Sequence, residues 1–321
     1  MNTRQIWSLI FSVALVISVL SCSDDKDEEP ACDTFSSADS VCFCTQNPDD
    51  INCVKAPTAF TIGLHTEEMV TLTPTSVNGT IWSKGFLIGS SIYLIDRESD
   101  SPHAFWKLDL EATDAWAQLA GFPGTSYGLT GSANGKGYVS SYASNKFWEY
   151  DPASNEWTPL EDLPFSPGET DWVEYKGKYY VPSHSGIYEF NPTTKEWTNF
   201  SEQTFSGFGA IFLLGDNMYW WNINNDYMSR FNLATKTYEE HDLPEGFNKS
   251  VSYNHPFVLG GVAYVIHGKT LCILNKNTNT WTQNDEIITT PGSTYADDVF
   301  VFEDKAYIVD DGYVKVFQPG D

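Results

Sequence analysis

The sequence predicts an all-β protein, a six-bladed β-propeller, from a repeated phrase, its spacing and the absence of a helical pattern beside it. The phrase is an aromatic or aliphatic residue, then Asp or Asn, then a turn residue, with a Trp or Tyr six or seven positions after the Asp or Asn. Its second residue stands at positions 109, 151, 191, 232, 275 and 318, in steps of 42, 40, 41, 43 and 43 residues, and the last of these positions is Gln318 in place of Asp or Asn. A period near forty is typical of propeller blades with four short strands each.

The residues of the phrase favour a tight turn between two strands. In Tyr150-Asp151-Pro152 the Asp side chain can cap the turn, and the Pro fixes φ at the next position. Segments rich in aromatic and branched residues flank these turns, as at 146–150 and 186–190. We therefore assign strands a, b, c and d to each repeat, and we expect the recurring Trp of strand d to pack between neighbouring blades.

The sixth repeat ends before its strand d. Strands a to c are predicted near 299–302, 306–309 and 314–317, and the sixth phrase stops at Phe317-Gln318-Pro319. Because an open strand edge invites aggregation, we expect an N-terminal strand to close the ring, supplied by Phe60–Leu64 or by 69–72. The propeller domain then covers 57–321.

In these repeats the chain resembles kelch-repeat proteins. Their phrase, Tyr-Asp-Pro-x-Thr-x-x-Trp followed by Leu-Pro, is best matched by Tyr150-Asp151-Pro152…Trp157…Leu163-Pro164, and the likeness covers nearly all of 80–321. The kelch Gly-Gly pair after strand b is missing from every repeat, while Gly260-Gly261 precedes a strand instead. The resemblance implies a six-bladed propeller of four-stranded blades.

The N-terminus predicts a lipoprotein signal peptide over 1–21. One basic residue, Arg4, precedes an apolar run from Ile6 to Leu20, which is too short for a spanning helix. The run ends in Val19-Leu20-Ser21-Cys22, which resembles the lipobox of bacterial lipoproteins and makes Cys22 the expected lipidation (palmitate) site. The alternative is an ordinary secretory signal with a coincidental Cys.

An acidic tether with a Cys-rich knob is expected over 22–56. Its first part, 23–30, is Ser- and Asp-rich, similar to the export signal of Bacteroidetes surface lipoproteins, although a plain spacer remains the alternative. We expect lipid anchoring at the cell outer membrane, on the cell surface. The whole chain carries a net charge of −25, which disfavours nucleic acid and polyanionic glycans as partners.

Four cysteines crowd the knob, namely Cys32, Cys42, Cys44 and Cys53. In an oxidising compartment we expect disulfides rather than zinc, paired either 32–42 with 44–53 or 32–44 with 42–53. Cys272, inside an apolar run, is predicted to be a small buried hydrophobe.

A ligand site is expected on the propeller face that carries the d–a and b–c loops, because the d–a loops are the long ones, as at 163–170 and 243–249. Each strand a begins near an aromatic residue, and these are the candidate ligand-binding residues: Trp82, Tyr127, Trp172, Phe208, Tyr253 and Tyr295. They either ring the channel mouth as stacking platforms for sugar rings or pack between blades as core.

No catalytic residue, cofactor or metal site is predicted. His103, His184 and His267 fall in b–c loops and His255 on a strand, but single histidines in different loops seldom form a metal site. The Asp pairs at 297–298 and 310–311 lack the spacing of a calcium loop.

The leading functional hypothesis is a binding protein, a monomer, that recognises a neutral glycan or a protein partner. Kelch-type propellers include sialic-acid mutarotases, which hold an anionic substrate with arginine, yet Arg97 and Arg230 are the two arginines after the signal peptide. They also include copper oxidases that need a Cys beside a Tyr at the channel, for which Cys272 is the one spare Cys. A carbohydrate-active enzyme and a structural part of an outer-membrane assembly are the alternatives.

Overall fold

The structure, a computed structural model, describes residues 60–64, 83–96, 102–112, 116–142, 144–168, 170–205, 209–222, 227–242, 254–267, 270–275, 280–286, 296–310 and 313–319. Every regular element within these ranges is a β-strand, so the all-β prediction is confirmed. The strands form six small, mainly antiparallel sheets in the arrangement of a six-bladed propeller. No described segment forms a helix that could cross a membrane.

Blades 1 to 3 hold the strands between Ser83 and Ser201. Blade 1 contains β2 (Ser83–Ile88), β3 (Ser91–Asp96), β4 (Phe105–Asp109) and β5 (Ala117–Gln118). Blade 2 contains β6 (Leu129–Ala133), β7 (Lys136–Ser140), β8 (Phe147–Asp151) and β9 (Glu156–Pro159). β10 (Thr170–Asp171) adds a fifth strand to the sheet of blade 2, and blade 3 contains β11 (Val173–Tyr175), β12 (Lys178–Ser183), β13 (Gly186–Asn191) and β14 (Glu196–Ser201).

Blades 4 to 6 complete the ring. Blade 4 contains β15 (Gly209–Leu214), β16 (Asn217–Asn222), β17 (Tyr227–Asn232) and β18 (Tyr238–Asp242). Blade 5 contains β19 (Asn254–Leu259), β20 (Val262–His267), β21 (Thr270–Asn275) and β22 (Thr280–Glu286). Blade 6 contains β23 (Asp298–Phe302), β24 (Lys305–Asp310), β25 (Tyr313–Pro319) and the N-terminal strand β1 (Phe60–Leu64).

The N-terminal strand closes the ring as predicted. β1 pairs antiparallel with β25, with Phe60 opposite Pro319 and Leu64 opposite Lys315. Of the two expected segments, Phe60–Leu64 is therefore the outer strand of blade 6, and 69–72 lies outside the described residues. Both ends of the propeller chain meet in one blade, where β1 covers the edge of β25 that would otherwise be open.

The repeated Asp or Asn ends strand c in each of the first five repeats, at Asp109, Asp151, Asn191, Asn232 and Asn275. In four of them the side-chain oxygen accepts a hydrogen bond from the backbone N–H two residues later, at 2.9–3.1 Å. These Asx turns confirm the predicted role of the phrase and explain its strict position.

The apolar core is divided into six clusters, one at each junction between neighbouring blades, including the junction of blades 6 and 1. The recurring Trp of strand d takes part as predicted: Trp157 of blade 2 contacts Phe105 of blade 1, and Trp197 of blade 3 contacts Phe147 of blade 2. Among the described residues every cluster contains side chains of two blades, so each blade is stabilised by its neighbours.

Candidate functional site

The six innermost strands lie side by side around the central channel, in the order β2, β6, β10 with β11, β15, β19 and β23. Five of them place a polar side chain at their first or second residue: Lys84, Thr130, Asp171, His255 and Asp298. We call these five residues the channel cluster. Because each strand a starts at the face with the d–a and b–c loops, the cluster lies at that end of the channel.

An ion pair links Lys84 of blade 1 to Asp171 of β10, the strand that joins the sheet of blade 2. Lys84 Nζ lies 2.9 Å from Asp171 Oδ2. From β6 of blade 2, the hydroxyl of Thr130 donates to Asp171 Oδ1 at 2.9 Å. The side chain of Asp171 is still 44% exposed, whereas that of Lys84 is 16% exposed, so the carboxylate is the accessible partner.

The local strand pairing holds Asp171 in this position. β10 pairs in parallel with β6 of the preceding blade, with Thr170 opposite Leu129 and Asp171 opposite Thr130. The chain then resumes as β11, which pairs antiparallel with β12 in blade 3. Asp171 is therefore fixed by the backbone of blade 2 before the chain enters blade 3.

Asp298 is buried and connects blade 6 to blade 1. Its Oδ2 accepts the backbone N–H of Gly85 at 2.9 Å, and its Oδ1 accepts the N–H of Val299 at the same distance. Desolvation by burial raises the pKa of this carboxyl to about 7, although the charge of Lys84 acts in the opposite direction. Asp298 therefore keeps a proton close to neutral pH.

His255 lies beside Asp298 from blade 5. Its Nδ1 is 3.9 Å from Asp298 Oδ1, and desolvation followed by the charge of Lys84 lowers the pKa of its imidazole to about 4. Its buried Nε2 has no hydrogen-bond partner among the described residues. The imidazole is neutral at physiological pH, so it adds no charge to the ion pair of Lys84 and Asp171.

The predicted aromatic residues take a different place where they are described. Tyr127 is buried in the cluster between blades 1 and 2. Trp172 stacks on Phe190 at 5.5 Å, and its Nε1 lies 2.1 Å from where a Cβ on Gly131 of blade 2 would stand. Both rings therefore pack between blades, which was the second of the two alternatives. Outside the described residues lie Trp82, Phe208, Tyr253 and Tyr295.

Other candidate residues do not gather at the channel. His103 is buried against the ring of Phe122, while His184 is exposed in the turn between β12 and β13. Arg230 pairs with Glu239 across β17 and β18. Across the described ranges, no three metal-ligating side chains come together.

The cysteine predictions are tested at one position. Cys272 on β21 is 1% exposed, as predicted for a small hydrophobe, and burial raises the pKa of its thiol to about 11. Lipidation and the disulfides stay predictions, because their residues lie outside the described ones: Cys22, Cys32, Cys42, Cys44 and Cys53.

Sequence reasoning missed most of the channel cluster. It noted His255 and Asp298 as isolated residues, but not Lys84, Thr130 or Asp171. A signal was available, because each of the five stands within the first two residues of a strand a. Since side chains alternate along a strand, the aromatic residues next to the channel cluster in the sequence face away from it and pack between blades where they are described.

Comparisons with known proteins show the fold. No family model matches the chain, and no curated protein matches it. Among solved structures, that of YjhT is similar with a TM-score of 0.57 and 15% identity, over 76% of this chain and 95% of that one. A structural genomics protein of unknown function from Bacteroides thetaiotaomicron has a TM-score of 0.57 and 12% identity, over 81% and 76% of the two chains. At these identities the likeness is one of propeller architecture.

Proposed function

We propose that this protein is a lipid-anchored binding protein of the cell surface that recognises an uncharged glycan at the channel mouth on the d–a and b–c loop face. The observation that carries the proposal is the channel cluster. It brings hydroxyl, carboxylate, ammonium and imidazole groups from five inner strands to one end of the channel. Such a mixture of donors and acceptors suits a ligand with several hydroxyl groups.

The charge of the channel cluster favours an uncharged ligand over a carboxylated one. Lys84 is already paired with Asp171, and the accessible member of that pair is the carboxylate. A carboxylated sugar would meet this carboxylate and would need to displace it from Lys84. Hydroxyl groups, by contrast, can donate directly to the lone pairs of Asp171. The described arginine, Arg230, is engaged with Glu239 in blade 4 and does not belong to the cluster.

The scaffold supports recognition by preformed groups. Thr130 fixes one oxygen of Asp171 and Lys84 fixes the other, so the carboxylate is oriented before a ligand arrives. A preoriented group loses little conformational entropy on binding. Neutral sugars bind weakly as a rule, and an oriented charged acceptor is a way to gain affinity for them.

A glycan array probed with the full exported chain tests the proposal. We expect binding to uncharged glycans, and we expect Asp171→Asn to weaken it by roughly tenfold or more, because it removes a charged acceptor. Asp151→Asn is the matched control: Asp151 also pairs with a Lys, at 2.6 Å, and has a 34% exposed side chain, but it lies at the turn between β8 and β9, on the opposite face of the propeller. Thermal melts of both variants show whether the fold is kept.

Two outcomes would overturn the proposal. One is a wild-type chain that binds no uncharged glycan on the array, which would leave a protein partner or an assembly role. The other is equal binding by the Asp171→Asn and Asp151→Asn variants, which would place the binding site away from the channel cluster.

A further inference from the structure

Tyr142 is an aromatic side chain exposed on the same face as the channel cluster. Among the large hydrophobic side chains of the described ranges it is the exposed one, at 39% of its surface. It lies in the b–c loop of blade 2, between β7 and β8. Most other described aromatic rings are packed between blades, whereas the ring of Tyr142 keeps a surface that a ligand could contact.

The backbone next to Tyr142 is firmly held. The N–H of Gly128 donates to the Ser140 carbonyl at 2.7 Å, and the Ser140 hydroxyl accepts the N–H of Leu129 at 2.8 Å. The N–H of Ser141 donates to the Lys146 carbonyl at 2.9 Å. Ser140 and Ser141 are both buried. The exposed ring is therefore carried by an anchored loop end.

The backbone just before β6 lies against Tyr142 and leads directly to the channel cluster. A Cβ on Gly128 would stand 3.2 Å from Tyr142 Cα and 2.8 Å from the carbonyl oxygen of Gly168, so three chain segments meet at this glycine. Thr130 follows Gly128 by two residues, roughly 7 Å along the strand. Asp171 stands opposite Thr130 and accepts a hydrogen bond from its hydroxyl.

We infer that Tyr142 is the stacking platform of this site and that the ligand is an uncharged pyranose. The inference rests on the proposed function and adds the mode of binding to it. One face of a pyranose is lined by C–H groups and packs on an aromatic ring, while its hydroxyl groups point outward. The partly exposed ring of Tyr142, on a loop that meets the chain just before Thr130, and the accessible carboxylate of Asp171 can together provide both kinds of contact.

Saturation-transfer NMR on the full exported chain tests the stacking. The probes are methyl β-D-glucopyranoside, methyl β-D-galactopyranoside and methyl α-D-mannopyranoside. We expect the wild type to transfer saturation to the ring C–H protons of at least one of them. Tyr142→Ala should weaken its affinity by roughly fivefold to tenfold. Tyr142→Phe, which keeps the ring and removes the hydroxyl, should stay within about twofold of the wild type.

The outcomes separate this inference from the proposed function. Unchanged affinity in Tyr142→Ala, together with a loss in Asp171→Asn, overturns the stacking role and leaves the glycan site in place. Binding of array glycans without binding of any of the three probes overturns the pyranose mode alone. If neither the glycan array nor the NMR experiment detects binding, both the stacking role and the proposed function are overturned. Equal losses in Tyr142→Ala and Tyr142→Phe would assign the effect to the hydroxyl and would also overturn the stacking role.

Discussion

The imidazole Nδ1 of His255 lies 3.9 Å from Oδ1 of Asp298, and the environment shifts the two groups in opposite directions. Burial raises the pKa of Asp298 to about 7 and lowers that of His255 to about 4. Lys84 and Asp171 are the charged groups that act on both. Over a wide range of pH the proton of this pair therefore resides on the carboxyl group rather than on the imidazole.

The pH dependence of the free energy of unfolding should reveal that folding moves the proton from His255 to Asp298, once one member of the pair is removed. Between pH 4 and 6.5 the folded pair holds one proton on Asp298, and the unfolded chain holds one on His255, since their ordinary pKa values are 3.8 and 6.5. The two contributions cancel, so the wild-type pair adds little pH dependence in this window. In His255→Asn only Asp298 remains, so stability should fall as pH rises from 4 to 7.

The opposite variant should have the opposite slope. In Asp298→Asn the lowered pKa of His255 remains, so stability should fall as pH drops from 6.5 towards 4. Each slope approaches about 1.4 kcal/mol per pH unit for one full proton. Urea titrations from pH 4 to 7.5 measure both. Slopes of the same sign in the two variants would contradict the assignment of the proton to Asp298.

The propeller could be predicted because its signals are local. The Asx turn at Asp151 needs residues within one short segment, and the same segment recurs at a constant period. The missing outer strand of blade 6 follows from counting strands, and Phe60–Leu64 was one of two segments able to fill it. Local turn chemistry and strand number together determine this architecture.

The channel cluster could not be predicted in the same way. Lys84 and Asp171 are 87 residues apart and meet between blade 1 and the sheet of blade 2. The break between β10 and β11, which pairs Asp171 with Thr130 of the preceding blade, has no marker in the sequence. The repeat determines where a residue lies within its blade. The neighbours of each innermost side chain, however, depend on how all six blades are arranged around the channel.

Gly131 should be required for the packing of Trp172. The indole occupies the space that a side chain at Gly131 would need, with Nε1 2.1 Å from an added Cβ. Gly131→Ala should therefore lower the free energy of unfolding by about 1–3 kcal/mol through overpacking. Trp172→Phe should cost less in the Gly131→Ala background than in the wild type, because the smaller ring makes room. Additive effects in this double-mutant cycle, measured by urea denaturation, would contradict the packing.

Lipid anchoring should depend on Cys22 and not on Cys272. Cys22→Ala should leave the chain unacylated and release it from membrane fractions, as measured by fractionation and mass spectrometry. Cys272→Ala is the matched control, because this buried thiol has a raised pKa and should not be modified in the folded protein. Retention of the Cys22→Ala chain in membranes would contradict the lipoprotein prediction.

Closure of the ring by β1 should couple all six blades. Deleting Phe60–Leu64 exposes the edge of β25, which pairs with β1 over five residues. Because each core cluster lies between two blades, an open ring lacks the support that closure gives to blade 6 and through it to blades 5 and 1. We expect broader thermal unfolding at a lower temperature, with association at the exposed edge that grows with protein concentration. Deletion of residues 24–28, of equal length but in the acidic tether, is the control and should leave the melting curve unchanged. If the β1 deletion melts like this control and remains monomeric in sedimentation velocity, β1 does not close the ring.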